Sequence, residues 1–196
     1  YAKPFSVGWY AVDRRGCIYR IAEYSGCTET ANTGIMINPV EIAAEIKRIE
    51  SENENLKGRT ITGIADPSIF DRSRGESVAD LMAMSPNFIL WSGGDNTRIA
   101  GKMQYHYRFM FNKDGLPMFY CFNTCKHFIR TIPALVYDDK KVEDINTEQE
   151  DHIYDECRYV LMANPMTAPR ERAEVPYTDD PLEQRKKNNN YSFYNI

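Results

Sequence analysis

The chain has 196 residues, which suits one domain with a sizeable hydrophobic core. The formal net charge of −4 and the pI near 5.5 argue against a uniformly basic nucleic-acid binder, but not against local basic patches. Five irregularly spaced cysteines exclude a disulfide framework and indicate reduced thiols in a cytoplasmic protein. No apolar run approaches the roughly 20 residues of a membrane helix, and no signal peptide is visible.

The chain begins with a pattern typical of two antiparallel strands. Bulky and small residues alternate over residues 5–12, and residues 17–24 predict the returning strand. Between them, residues 13–16 predict a hairpin turn in which Gly16 takes a positive φ.

A helix and a further strand follow. Asn38 and Pro39 are typical of a helix N-terminus, and an apolar period near 3.6 residues carries this helix toward Gly58. A short apolar strand is predicted at residues 60–65. A helix that leads into a buried strand indicates an α/β sheet.

The second half of the chain predicts shorter elements and then a polar segment. They are a helix at 77–84, a strand at 88–91, a helix at 97–107, a strand at 116–122, a helix capped by Thr124 and ended by Pro133, and an acidic connector at 138–149. Cys121, Cys125 and His127 raise the possibility of zinc, but their spacing fits no common finger and favours ordinary packing.

Asp66 comes directly after the strand at 60–65 and before Pro67, which stops further pairing. The carboxyl ends of strands in open α/β sheets are where ligands collect. A plain Asx turn before proline explains the same residues, so both interpretations stay open.

Residues 150–159 predict a helix that sets Asp151 and Asp155 one turn apart on one face. The helix is expected to open near Glu148 or Asp151, where free N–H groups and the helix dipole favour ionised carboxylates. Carboxylates on a rigid element suit a Mg²⁺ or Mn²⁺ site. The alternative is a capped surface helix in which Arg158 pairs with Asp151 or Asp155.

Basic residues on the helix at 97–107 could contact a phosphate backbone. Arg98 and Lys102 lie four residues apart, and the loop at 71–74 adds Arg72 and Arg74. A solvated basic helix face is the alternative. The doublet Gly93-Gly94 is not a P-loop, because no Gly-Lys-Ser/Thr follows.

Three segments together resemble the C-terminal nuclease domain of tailed-phage terminase large subunits, the DNA-packaging motor proteins. They are Ile64-Ala65-Asp66-Pro67-Ser68, Asp95-Asn96-Thr97-Arg98-Ile99-Ala100-Gly101 and the stretch from Glu150 to Tyr159, in that order. The strand and helix from Phe119 to Pro133 resemble the same proteins. The likeness covers most of residues 1–163.

The resemblance implies an RNase H-like fold, an α/β fold with a mixed central sheet flanked by helices. It also implies carboxylates that hold two Mg²⁺ or Mn²⁺ ions. Asp66 matches a strand-end ligand, Asp151 matches the helix ligand, and Asp155 matches a further ligand or its partner. His152 lies where some relatives carry another Asp, so it is a weaker candidate for contact with a metal or a phosphate.

The family's first-strand carboxylate has no match here, because it would precede Tyr1. Asp13 is a poor substitute, since it lies in a hairpin turn. The chain lacks an initiator Met, and we expect it to be a fragment of a longer protein with the first strand upstream. Residues 1–163 are thus predicted to be the nuclease domain, and the Pro- and Asn-rich residues 164–196 a largely disordered tail.

The implied function is metal-dependent cleavage of concatemeric phage DNA during packaging in the host cytoplasm. The implied partners are double-stranded DNA, the portal protein, the small terminase subunit and an ATPase domain in the same longer chain, with no membrane. One alternative is another RNase H-like nuclease of resolvase or transposase type. A second is a non-catalytic DNA- or portal-docking module that keeps the fold without metals.

Overall fold

The computed structural model describes residues 4–28, 30, 32–141 and 143–167. It confirms the predicted α/β class with a mixed sheet flanked by helices. The strands are β1 (Ser6–Val12), β2 (Ile18–Ser25), β3 (Gly63–Ala65), β4 (Trp91–Gly93) and β5 (Phe119–Cys121). The helices are α1 (Pro39–Glu52), α2 (Val78–Ala83), α3 (Arg98–Phe109), α4 (Lys126–Thr131) and α5 (His152–Ala163), with 3₁₀ turns at Pro67–Phe70 and Ile132–Ala134.

Within the described residues the strands form two separate sheets. One has the order β1-β2-β5, with β1 antiparallel and β5 parallel to β2. The other is the parallel pair of β3 and β4, in which Ile64 lies opposite Ser92. Gly16 takes a φ of +81° in the hairpin between β1 and β2, as predicted.

Hydrophobic side chains pack on both faces of the three-stranded sheet. On one face Ile18 and Phe119 pack with residues of α3, α4 and α5, including the fully buried Cys157. On the other face Trp9 packs with α1 and α2 through Ile42 and Met82. Helix α5 is therefore a core element, because Ile153, Cys157 and Leu161 face the sheet at its centre.

Two predicted helix boundaries are wrong, each for a visible reason. Helix α1 ends at Glu52 rather than near Gly58, because the Asn53 side chain accepts the N–H of Asn55 in a local turn that competes with the helix. Helix α4 is preceded by Cys125, and Thr124 is not its cap. A distant carboxylate on Glu23 accepts the first free N–H groups of α4 instead.

The strands of the small sheet differ from their predicted ranges. The strand predicted at 60–65 is paired only over β3, since its partner β4 is equally short. The strand predicted at 88–91 begins at Trp91, because Phe88 has a φ of +49° and is exposed.

The described part of the C-terminal segment packs against α3. The backbone N–H of Met166 donates to Gln104, whose side-chain amide donates to the carbonyl of Met166. Residues 168–196 of the predicted tail lie outside the described residues. Of the helices that are described, none has the length and apolar character that a membrane crossing requires.

Candidate functional site

A cleft of about 1490 Å³ runs between the two sheets. Every residue of β1 and of β3 lines it. Successive residues of a strand point to opposite faces, so a space that touches all of them lies along the strand edges. Within the described residues, neither edge is paired to another strand across this space. The cleft is thus a slot between two free strand edges.

Asp66 lies at this cleft where β3 ends. One carboxylate oxygen accepts the backbone N–H of Ser68 at 2.7 Å, so the Asx turn expected from the sequence is present. The other oxygen accepts the hydroxyl of Tyr159 on α5. Partial burial opposes ionisation, but the donors from Tyr159 and Ser68 outweigh it and hold the pKa of Asp66 below its usual value.

Asp151 is the N-cap residue of α5, yet its side chain makes no capping hydrogen bond. It is 7% exposed and does not line the cleft. Burial, followed by the nearby charge of Asp155, raises the pKa of Asp151. The expected effect of the helix dipole is therefore outweighed here. His152 lines the cleft beside it, with Nδ1 3.9 Å from Asp151 Oδ1.

Asp155 also lines the cleft, one helical turn after Asp151 as predicted. Two guanidinium groups contact it, Arg98 Nη1 at 3.2 Å and Arg158 Nε at 3.2 Å. Arg98 also pairs with Asp144 at 2.7 Å. The alternative interpretation predicted an ion pair between Arg158 and one of these aspartates, and the pair with Asp155 is present. Helix α5 is packed into the core, however, and is not a surface helix.

A chain of side-chain contacts joins the two cleft carboxylates. From Asp66 it passes through the Tyr159 hydroxyl, which also lies 3.3 Å from Asn96 Oδ1. Arg158 Nη2 donates to the same Asn96 oxygen at 2.9 Å, and Arg158 Nε reaches Asp155. Asp66 and Asp155 lie 89 positions apart in the sequence. They are therefore linked along one wall of the cleft by three other side chains.

Two glycines allow this close approach of α5. A Cβ added to Gly94 would lie 2.4 Å from Cδ1 of the Tyr159 ring. A Cβ added to Gly101 would lie 2.4 Å from Cγ of Arg158. Both distances are shorter than any normal carbon–carbon contact. Helix α5 can therefore pack this closely only because both positions are glycine, which has no side chain.

Sequence reasoning missed Glu156, a third carboxylate that lines the cleft. Its oxygens accept hydrogen bonds from Ser6 at 3.1 Å, Tyr10 at 2.7 Å and the fully buried Arg20 at 2.8 Å. The signal was present in β2, where Arg20 occupies an inward position two residues after Ile18. A buried arginine requires an acidic partner.

The predicted DNA-contacting side chains mostly bind other parts of the chain. Arg98 is held by two aspartates, and Lys102 donates to the carbonyl of Glu143. Arg72 makes two hydrogen bonds to Asp80, at 2.7 and 2.8 Å. Arg74 lines the cleft and is exposed.

The donor set was tested for its fit to metal ions. Within the described ranges, no three His, Cys, Asp or Glu side chains form a group that could hold a metal ion. Asp66 lines the cleft and keeps acceptor capacity beyond its bonds with Ser68 and Tyr159, because a carboxylate has about four acceptor positions. These residues fit a partly hydrated cation better than a complete two-ion cage.

No protein-family model matches the chain, and no curated protein matches it significantly. Solved structures do match, among them three of the large terminase from a thermophilic bacteriophage. The complex with ADP has a TM-score of 0.60 at 18% identity, over 85% of this chain and 38% of that one. The complex with ATP-γ-S and a third structure have a TM-score of 0.58 at 18% and 20% identity, over 81% of this chain and 36% of theirs. The chain thus has the fold of little more than a third of these proteins.

Proposed function

We propose that this chain is the metal-dependent DNA endonuclease part of a phage DNA-packaging motor. The observation that carries the proposal is the placement of Asp66 and Asp155 on one cleft wall, from elements 89 positions apart in the sequence. It is supported by the fold, since 81–85% of the chain matches solved structures of a large terminase. Strand-end and helix carboxylates facing one groove suit phosphodiester cleavage.

Asp66 would bind the cation directly, with Asp155 farther along the same wall of the cleft. Asp151 would support Asp155 from behind or become a ligand itself if the start of α5 shifts, and His152 lies at the rim. A bound divalent ion supplies a hydroxide nucleophile and stabilises the leaving oxygen. The chain's own residues orient the ion's ligands and the DNA. Arg74 at the cleft is placed for phosphate contact, which carries no sequence information.

A two-ion centre of Mg²⁺ or Mn²⁺ requires more carboxylates than the described residues bring together. The slot between the free edges of β1 and β3 offers a place for one more carboxylate. We propose that an extended segment of the longer protein, from before Tyr1, pairs with both edges and carries that carboxylate. The two sheets would then become one mixed sheet.

We propose that this nuclease acts within a packaging motor. The partners would be double-stranded DNA, a portal protein, a small terminase subunit and an ATPase part of the same longer chain, in the host cytoplasm. A non-catalytic docking module is the second candidate function. It is favoured by the contacts of Asp155, whose charge is already balanced by Arg98 and Arg158 without a metal.

Nicking of supercoiled plasmid with Mn²⁺ tests the proposal, on a chain extended upstream of Tyr1. Asp66→Asn should lower the nicking rate by at least about 100-fold, as expected for a direct metal ligand, and Asp151→Asn by about 10- to 100-fold, as expected for a residue that supports one. Asp138→Asn is the matched control, since Asp138 does not line the cleft and its carboxylate accepts the backbone N–H groups of its own turn. Unchanged cleavage in Asp151→Asn would remove that residue from the mechanism. An extended chain that neither nicks DNA nor binds Mn²⁺ would favour the docking module.

A further inference from the structure

Tyr159 joins helix α5 to the end of β3 in the candidate site, and no sequence motif assigns it a role. It lies on α5 four residues after Asp155, and its hydroxyl crosses to Asp66 at the end of β3. We propose that Tyr159 is a positioning residue, whose hydroxyl fixes the Asp66 carboxylate in the orientation that accepts a divalent cation. The proposal rests on the proposed metal-dependent function.

The Asp66 carboxylate is held by donors from two elements, Ser68 in its own turn and Tyr159 on α5. The Ser68 N–H fixes the first oxygen from within the same turn. That contact alone would leave the carboxylate free to swing with the turn. The Tyr159 hydroxyl fixes the second oxygen from a different element, so the turn and the helix together define the carboxylate plane. The carboxylate keeps acceptor capacity for a cation, because it has about four acceptor positions.

The hydroxyl of Tyr159 is itself held in place by its surroundings. Its ring packs directly on Gly94, and the Arg158 guanidinium lies 4.8 Å from the ring centroid. The hydroxyl of Tyr159 has a single proton, and the Asp66 oxygen lies closer to it than Asn96 Oδ1, which is 3.3 Å away. A donor locked by packing on both sides is what a preorganised site requires.

Helix α5 provides a matched control in Tyr154. This tyrosine is also buried, but within the described residues its hydroxyl oxygen has no hydrogen-bond partner. Tyr154→Phe therefore removes the same atom from the same helix without touching the cleft. Tyr159→Phe keeps the ring, its packing on Gly94 and the contact with Arg158.

The test measures Mn²⁺ binding by calorimetry in the extended chain, for wild type, Tyr159→Phe, Tyr154→Phe and Asp66→Asn. Tyr159→Phe should bind Mn²⁺ about 10- to 100-fold more weakly, the usual effect of losing a partner of a metal ligand. Tyr154→Phe should bind as wild type does. Asp66→Asn should lose Mn²⁺ binding, and unchanged binding in that variant would overturn the proposal because the ion would then lie elsewhere.

Crystal structures of the metal-free wild type and Tyr159→Phe provide a readout that does not depend on metal. The proposal expects the Asp66 carboxylate to turn away from the cleft in Tyr159→Phe, with Ser68 as its remaining donor. Unchanged Mn²⁺ affinity in Tyr159→Phe would overturn it. If wild type binds no Mn²⁺, the proposed function fails, and an Asp66 that stays in place in Tyr159→Phe overturns the positioning role as well.

Discussion

Two carboxylates on the same cleft, Glu156 and Asp66, each accept a hydrogen bond from a tyrosine hydroxyl. Glu156 also accepts from Ser6 and from the buried guanidinium of Arg20, so its charge is balanced and its oxygens are occupied. Asp66 has only neutral donors in direct contact and faces the open slot with lone pairs to spare. Spare coordination capacity, rather than acidity alone, distinguishes a candidate ligand from a structural acid.

The two carboxylates also differ in what they connect. Glu156 joins α5 to β1 and β2 through side chains of the main core, where Arg20 also stacks against Phe128 at 4.8 Å. Asp66 joins α5 only to the small sheet, through Tyr159. We therefore expect changes at Glu156 to act on stability, and changes near Asp66 to act on the geometry of the cleft.

The largest stability effect is expected from Glu156→Ala. The variant removes the closest carboxylate of the fully buried Arg20, which keeps Glu23 at 3.4 Å, and should lower the free energy of unfolding by about 3 kcal/mol, the lower end of the usual loss on breaking a buried pair. Urea denaturation measures the loss. Glu52→Ala breaks an exposed pair with Arg48 and should cost less than about 1 kcal/mol. Equal losses in the two variants would contradict a structural role for Glu156.

A smaller effect is expected from Gly94→Ala. The new Cβ would meet the rigid ring of Tyr159, and overpacking of this kind costs about 1–3 kcal/mol. The adjacent Gly93 is the control, because its added Cβ would meet Phe70 at an ordinary 3.8 Å. Thermal unfolding compares the two variants. If Gly93→Ala proves as harmful as Gly94→Ala, the loss belongs to the strand backbone and not to the contact with α5.

The smallest effect on stability is expected from Asp151→Asn, which should raise the free energy of unfolding. The pKa of Asp151 is raised by burial and then by Asp155, so the folded state holds a proton more tightly than the unfolded chain does. Wild-type stability therefore falls as the pH rises from about 3.9 through the raised pKa, and the variant avoids this loss.

Asp151→Asn should accordingly unfold at a higher temperature than wild type at pH 7, and the difference should shrink toward zero below about pH 3.9. Each kcal/mol gained corresponds to about 2–4 °C in a protein of this size. A variant that is less stable than wild type at pH 7 would show that the Asp151 charge is compensated in the fold. Loss of nicking together with a gain in stability would mark Asp151 as a residue kept for function.

Local patterns in the sequence predicted the elements that carry the site. Asn38 and Pro39 begin α1 as expected, with the Glu41 side chain completing the cap, and Asp151 and Asp155 lie one turn apart. Element ends were less predictable. The start of α4 depends on Glu23, whose carboxylate reaches the helix from more than 100 residues away.

The site was only partly predictable for the same reason. The sequence indicated Asp66 and the aspartates of α5, and periodicity placed them on a strand end and a helix face. It did not show that Tyr159 would reach Asp66, that Arg98 would turn toward Asp144, or that Asp151 would be buried away from the cleft. Those contacts join elements far apart in the chain, and no local period encodes them.

By itself, the sequence determined which acidic, basic and small residues would stand at strand ends and along helix faces, because caps, turns and apolar periods act over a few residues. The tertiary structure alone decided which acids would be neutralised and which would keep free lone pairs. That outcome depends on burial and on donors contributed by other elements, since desolvation and a facing guanidinium set the state of a carboxylate. Glu156 and Asp66 have the same chemistry in the sequence, and they differ because α5 packs against two different sheets.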